Sequence, residues 1–221
     1  MLYLEKNALI SGCIAILMIF LCSGCGKKKQ KDIDKLEFEQ AIKDCQSGYS
    51  MKIYFLGKKI DDEDVAKLAK LSELYELCLA FTEISNASME TIAKIPGLLD
   101  LDLAGVRIDN DGLKPLADHP TLKRIVLNET GITNAGLEVV ATIPNLECIE
   151  LYRCFITDDG LRHIGKMKNL EKISLDSTRI TDKGIPFLYP LTKLKRLQIW
   201  DTGVSEDGKK TLQSRMPNVS I

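Results

Sequence analysis

Leu146-Glu-Cys-Ile-Glu-Leu-Tyr-Arg-Cys-Phe-Ile-Thr-Asp-Asp-Gly-Leu-Arg-His-Ile164 decides how the rest of the chain folds. Its first residue belongs to a series, Leu74, Leu98, Leu122, Leu146, Leu170 and Leu194, in which each member follows the last by 24 residues. Self-similarity at a fixed period in the twenties marks a solenoid, a stack of short units that each bury an apolar edge against the next. Within the stretch, Ile149 and Leu151 alternate with Glu150, the period of a half-buried strand. The same step places strands at Ile53, Leu77, Leu101, Ile125, Ile173 and Leu197, which makes about seven coils.

Each coil continues in the same order. A small, mostly polar position comes first (Thr82, Val106, Thr130, Cys154, Thr178, Thr202), suited to satisfying turning backbone groups from inside. Val106 cannot do so, and an altered turn or a water is expected there. An apolar residue follows, then a helix N-cap: Ser85, Asp109, Thr133, Thr157, Thr181 or Ser205. Such side chains accept from the first free N–H groups, worth about 1 kcal/mol against Ala. Asn86, Asn110, Asp158, Asp182 and Glu206 come next, the acids suiting the positive helix end. Then come Gly112, Gly136, Gly160, Gly184 and Gly208. Glycine inside a helix costs about 1 kcal/mol, so its recurrence predicts that a side chain there would meet the neighbouring coil. Pro96, Pro120, Pro144 and Pro217 help to end the helices. Stacked strands lie about 4.8 Å apart and packed helices about 8–10 Å apart, so the stack must curve with its strands inside.

The unit Leu-x-x-(Leu/Ile)-x-Leu-x-x-Thr-x-Ile-Thr-(Asp/Asn)-x-Gly-Leu resembles a leucine-rich repeat. The subtype is similar to the cysteine-containing repeats of F-box adaptors and of bacterial leucine-rich-repeat lipoproteins. The resemblance covers residues 51–221. It implies an α/β right-handed solenoid, or horseshoe, with a parallel sheet on the concave face and helices on the convex face. It implies binding rather than a particular chemistry, since repeats of this kind serve many recognition roles. Residues 26–50 are too few for an F-box, so the adaptor role is not carried over.

Ahead of the repeats, residues 1–24 read as a signal peptide: Ala8–Cys22 is an apolar run too short for a bilayer span, which needs roughly 20 residues. Leu21-Cys22-Ser23-Gly24-Cys25 resembles a lipobox, which implies cleavage after Gly24 and lipid on Cys25, although Cys22 stands where Leu is usual. Residues 25–31 then form a basic tether able to rest on anionic headgroups. The alternative is an uncleaved anchor that keeps Lys27–Lys31 and the repeats on the cytoplasmic side. Residues 32–50 form an N-terminal cap whose helix, Asp32–Gln46, carries an apolar stripe of Ile33, Leu36, Ala41, Ile42 and Cys45. At the other end, one extra residue before Val219 breaks the period, leaving a short eighth strand and a thinly covered edge.

The 30 basic and 31 acidic residues balance, which argues against a nucleic-acid partner. Seven irregularly spaced cysteines fit neither a disulfide framework nor a zinc site. Free thiols are unusual in an envelope protein and favour the intracellular alternative. His119, before Pro120, and His163, on an outer helix, read as solvated surface residues, and Asp158-Asp159 as helix-start capping. No acid, base and nucleophile converge, so no catalytic residue, cofactor or metal is expected.

The candidate site is therefore the set of outward strand positions on the concave face. Trp200, Tyr152, Asp176, Glu150, Arg196 and Asp102 are the expected partner-binding residues, with acid toward the first coils and Lys172, Arg196, Tyr152 and the single Trp toward the last. The expected function is a non-enzymatic protein-recognition module on a membrane-anchored lipoprotein of the cell envelope. A structural component associating through its C-terminal edge is the other reading.

Overall fold

A computed structural model describes residues 30–221; the residues expected to form a signal peptide, the lipidation site Cys25 and most of the basic tether lie outside them. Seven three-residue strands form one parallel sheet in sequence order: β1 (Lys52–Tyr54), β2 (Glu76–Cys78), β3 (Asp100–Asp102), β4 (Arg124–Val126), β5 (Cys148–Glu150), β6 (Lys172–Ser174) and β7 (Arg196–Gln198). Every pairing is in register at 24 residues, from Ile53↔Leu77 to Ile173↔Leu197. Returns to the next strand run through short helices on the opposite side: α2 (Asp62–Val65), α3 (Met89–Ile92), α4 (Asn110–Leu113), α5 (Asn134–Val140), α6 (Asp158–Ile164) and α7 (Glu206–Arg215). The sixth coil has only a 3₁₀ turn, Ile185–Leu188, where Pro186 removes a helical donor. Between the layers the recurring Leu and Ile residues form one continuous core.

The expected break in period near the last coil does not appear in the register. The Leu197 N–H bonds the Ser220 carbonyl and the Ser220 N–H bonds that of Lys195, so Ser220 pairs with Arg196 at the usual step. Ser220 follows Arg196 by the same 24 residues as every other rung, so the expected extra residue is not there.

The recurrent glycines have a specific cause. In each coil the residue after the N-cap reaches sideways to the N-cap of the next coil. The Asn134 Nδ2 donates to Thr157 Oγ1 at 2.7 Å and the Thr157 N–H returns a bond to Asn134 Oδ1 at 3.0 Å. Asn110 binds Thr133 in the same way, while Asp158 receives the N–H and hydroxyl of Thr181, both at 2.7 Å. Asp182 receives those of Ser205. A Cβ on Gly136, Gly160 or Gly184 would lie 2.5–2.6 Å from the crossing oxygen. The Asn and Asp side chains thus act mainly as coil-to-coil ties rather than as counter-charges to their own helices. Thr157 makes no cap bond to its own helix, whereas Ser85, Asp109, Thr133 and Ser205 do, Thr133 and Ser205 while making the same tie.

A second repeating feature follows each strand. Phe81, Glu129, Arg153, Ser177 and Asp201 all stand at φ between 53° and 57°, in register with Gly57 and Gly105. That left-handed turn aims the next side chain inward. Thr82, Thr130 and Thr178 each donate to the carbonyl three residues back at 2.6 Å. Cys154 instead reaches the Leu127 carbonyl of the preceding coil. The turn at Val106 is not altered: Gly105 keeps the left-handed conformation, and the Val106 N–H meets the Leu103 carbonyl at 3.4 Å.

Two expectations need correction. The cap helix α1 (Gln30–Gln46) begins two residues earlier, and its buried face is Asp34, Phe38, Ile42 and Cys45, with Leu36 exposed. Phe38 packs edge-on against Phe55 at 5.0 Å, and Asp34 turns inward to receive the Lys59 N–H at 2.8 Å. A carboxylate in the buried stripe is what the hydropathy pattern hid.

His119 is not solvated. It is 4% exposed and occupies a core row with Leu71, Ile95, Ile143, Met167 and Leu191, each one period apart. Neither ring nitrogen has a hydrogen-bond partner among the described residues. His163 is half-buried on α6, with its Nδ1 also unpartnered. Burial pushes the His119 pKa below its ordinary 6.5. The folded state therefore binds this proton less readily than the unfolded chain, so stability falls as pH drops from about 6.5 toward the folded pKa. His119→Ile is expected to stabilise the fold by about 1–2 kcal/mol at neutral pH. The gain should widen in mild acid, as read by urea unfolding at pH 7.5 and 5.5. An equal or reversed difference at the lower pH would contradict a buried neutral imidazole.

Candidate recognition surface

The outward strand positions form three rows across the sheet. One runs Lys52, Glu76, Asp100, Arg124, Cys148, Lys172, Arg196; the middle runs Tyr54, Cys78, Asp102, Val126, Glu150, Ser174, Gln198; the third runs Leu56, Ala80, Ala104, Asn128, Tyr152, Asp176, Trp200. Exposure is highest at both ends and lowest between. Val126, Ser174, Ala80 and Ala104 are buried although they point outward. A central rung has a neighbour on either side, and the inward curve brings those neighbours together over any small residue. The expectation that every rung is free to touch a partner therefore holds only toward the ends.

The charges in the middle pair with one another. Arg124 bridges Asp100 at 2.8 Å and Glu150 at 3.2 Å, and Lys172 reaches Glu150 at 3.0 Å. The Asn128 Nδ2 adds a long bond to Glu150 at 3.4 Å. Burial pushes the Glu150 carboxyl up, but Lys172 and Arg124 outweigh it and hold the pKa below its ordinary value. Glu150 is thus the centre of an internal ion network. Cys148 sits on the same row, where burial raises its thiol despite Lys172 and Arg124.

The far end is different. Trp200 is 73% exposed, and its backbone N–H is held by Asp176 Oδ1 at 2.6 Å. Asp176 is spent on positioning the Trp, as Asn128 is on the Tyr152 N–H at 2.7 Å. Tyr152 is half-buried, with the Arg153 guanidinium 5.0 Å from its ring centre. Arg196 makes no ion pair among the described residues, and with Trp200, Asp176, Gln198, Lys209 and Ser220 it lines a depression of about 480 Å³. So Trp200, Arg196 and Asp176 come together, Tyr152 lies one coil inward from Asp176, Glu150 belongs to the ion network, and Asp102 lies at the other end of the face. The sequence reading passed over Leu56 and Phe81 as contact residues. Both are exposed, and Phe81 has a signal only in hindsight, as an aromatic on the left-handed position.

Among the described residues no group of His, Cys, Asp and Glu is placed to hold a metal, and no helix is long and apolar enough to cross a membrane.

No protein-family model matches the chain, and no curated protein matches it. Solved structures do. Internalin C2 of Listeria monocytogenes superposes with a TM-score of 0.61 at 21% identity, over 76% of this chain and 68% of that one. A second internalin of the same organism gives 0.55 at 14% identity, over 85% and 65%. A leucine-rich-repeat protein of Leptospira interrogans gives 0.50 at 17%, over 71% and 44%. The chain thus spans about two thirds of the two internalins and under half of the third. At these identities the likeness establishes the fold, a leucine-rich-repeat solenoid.

Proposed function

We propose that this chain is a non-enzymatic protein-recognition module of the cysteine-containing repeat subtype, held at a bacterial membrane through lipid on Cys25. It engages a protein partner with its concave strand face. The observation that carries the reading is Trp200: a large aromatic left in solvent, with its backbone pinned by Asp176 and an unpaired Arg196 beside it. Rigid aromatic and Arg anchors dominate interface energetics, and pre-positioning them lowers the entropy cost of binding. That internalins share the fold is in keeping with a binding role.

The combined variant Trp200→Ser, Tyr152→Ser, Arg196→Ala is expected to lose the partner from a pull-down of envelope extract by tenfold or more, since each hot-spot truncation costs about 2 kcal/mol. An unchanged set of captured proteins would remove this end of the face from the reading. The anchor is tested separately by mass spectrometry of the mature N-terminus. A chain beginning at lipid-bearing Cys25 supports it, and an intact Met1 would move the repeats to the cytoplasmic side.

A further inference from the structure

We infer that the opposite end of the concave face is a second docking surface, built for a protein segment that lays a Lys or Arg side chain between apolar neighbours. The inference rests on the recognition reading above and names the partner chemistry for a different set of coils.

The floor of this surface is made of small residues. Ala80, Ala104 and Val126 form an apolar cluster of their own on the outer side of the sheet, with half-buried Cys78 packed against it. It is separate from the main core, which lies on the other side of the strands. The rim is apolar and open: Leu56 is 65% exposed, Tyr54 55% and Phe81 52%. Leu56 lies beside Ala80 at the β1–β2 step, where the Gly57 N–H bonds the Ala80 carbonyl at 2.8 Å.

Phe81 is held in place by its backbone. Its φ of 57° is uncommon for a bulky residue and costs about 1–2 kcal/mol. Its ring lies over Gly105, at the point where any Cβ would strike it. Gly105 thus makes room for an aromatic that stays half in water at a position where other coils carry Glu129, Arg153, Ser177 and Asp201. Exposed apolar surface of this extent, on a sheet face rather than scattered, marks a contact site.

Charge selects the occupant. Glu76, Asp100, Asp102 and Glu150 face the sheet surface with Lys52, Arg124 and Lys172. One carboxylate is left over, and the geometry identifies it as Asp102. Asp102 receives the Ala104 N–H at 3.0 Å, has the neutral Cys78 thiol beside it, and makes no ion pair among the described residues. The strain is visible next door. Asp100 has its pKa raised by burial, with Glu76 and Asp102 adding to the rise, even though Arg124 is bound to it. A further cation at Asp102 would relieve this, and the Ala80–Ala104 floor would take the aliphatic stem that a Lys or Arg brings with it. Leu56, Tyr54 and Phe81 would then cover the apolar side chains flanking that cation. An acidic segment would meet like charge, and a nucleic acid would meet it all along its length.

The test is selection of a random dodecapeptide display library on the immobilised full-length chain. Enriched peptides are expected to carry a Lys or Arg next to apolar residues. Their affinity should fall about tenfold or more for Asp102→Asn and for the Leu56→Ser, Phe81→Ser pair, while Trp200→Ser leaves it unchanged. Asp102→Asn keeps the acceptor for the Ala104 N–H, so an unchanged melting temperature separates lost binding from lost folding. Enriched peptides that lack a basic residue, or that ignore Asp102→Asn, overturn the inference. Peptides that depend on Trp200 instead overturn it while leaving the recognition reading in place. No enrichment above an unrelated repeat protein counts against both.

Discussion

Replacing Gly160 by Ala is expected to lower stability by about 2–3 kcal/mol, although Ala is the better helix former. Glycine in a helix interior normally costs about 1 kcal/mol relative to Ala, so on an open helix face the same change would stabilise. On α6 the added Cβ would lie 2.5 Å from Asn134 Oδ1, 2.9 Å from Ile156 Cγ2 and 3.1 Å from Leu137 Cδ1. The amide must leave, and with it go its two bonds to Thr157. Each is worth about 1 kcal/mol, and the Thr157 N–H is left without its partner. The clash and the lost tie together exceed the propensity gain. For a domain of this size the melting temperature should fall by roughly 4–10 °C. Because coil-to-coil interfaces carry the cooperativity of a solenoid, the transition should also broaden. The double variant with Asn134→Ala is diagnostic. Once the amide is gone, adding Gly160→Ala should cost at least about 1 kcal/mol less than it does in the parent. Strictly additive costs would mean that the tie is not the reason for the glycine.

Asp34→Ala is expected to cost about 2–3 kcal/mol and to act on one end of the molecule. Asp34 is 1% exposed and receives the Lys59 N–H at 2.8 Å and Gln30 Nε2 at 2.8 Å, with Lys58 at 3.4 Å. Removing it leaves a buried donor under α1 and leaves Lys58 with Glu37 alone, at 3.1 Å. Amide hydrogen exchange should then quicken throughout Gln30–Gln46 while β4 and β5 stay protected, since a terminal element of a stack can open alone. Uniform loss of protection would show that the cap is not a separate unit. Acid should produce the same opening in the parent chain. Burial pushes the Asp34 carboxyl up, but the Lys59 N–H, Gln30 and Lys58 outweigh it and hold the pKa below its ordinary 3.8. Asp61 is held lower still: burial opposes, but Lys31 and Lys35 prevail. Groups with depressed folded pKa values contribute fully above the unfolded value and lose that contribution as pH falls below it. Opening of α1 should therefore begin below about pH 4, and Asp34→Ala should remove only the Asp34 share of it, since the Asp61 pairs with Lys31 and Lys35 remain.

The sequence by itself determined the repeat, the register and the layer order. A period of 24 with alternating apolar residues allows one stacking, because a slip of one residue would turn every core side chain outward. It also determined that something crosses between coils at the glycines. Only the tertiary structure decided what crosses, and which outward residues are available. Glu150 and Asp176 read as binding residues on their rows, yet one is spent on Arg124 and Lys172 and the other on the Trp200 N–H. His119 read as a turn residue and stands in the core; Leu36 read as core and stands in water. Hydropathy along the chain reports how apolar a position is on average. Whether a polar side chain finds its partner, or an apolar one its cover, depends on the coil beside it, and that neighbour is fixed only when the stack is built.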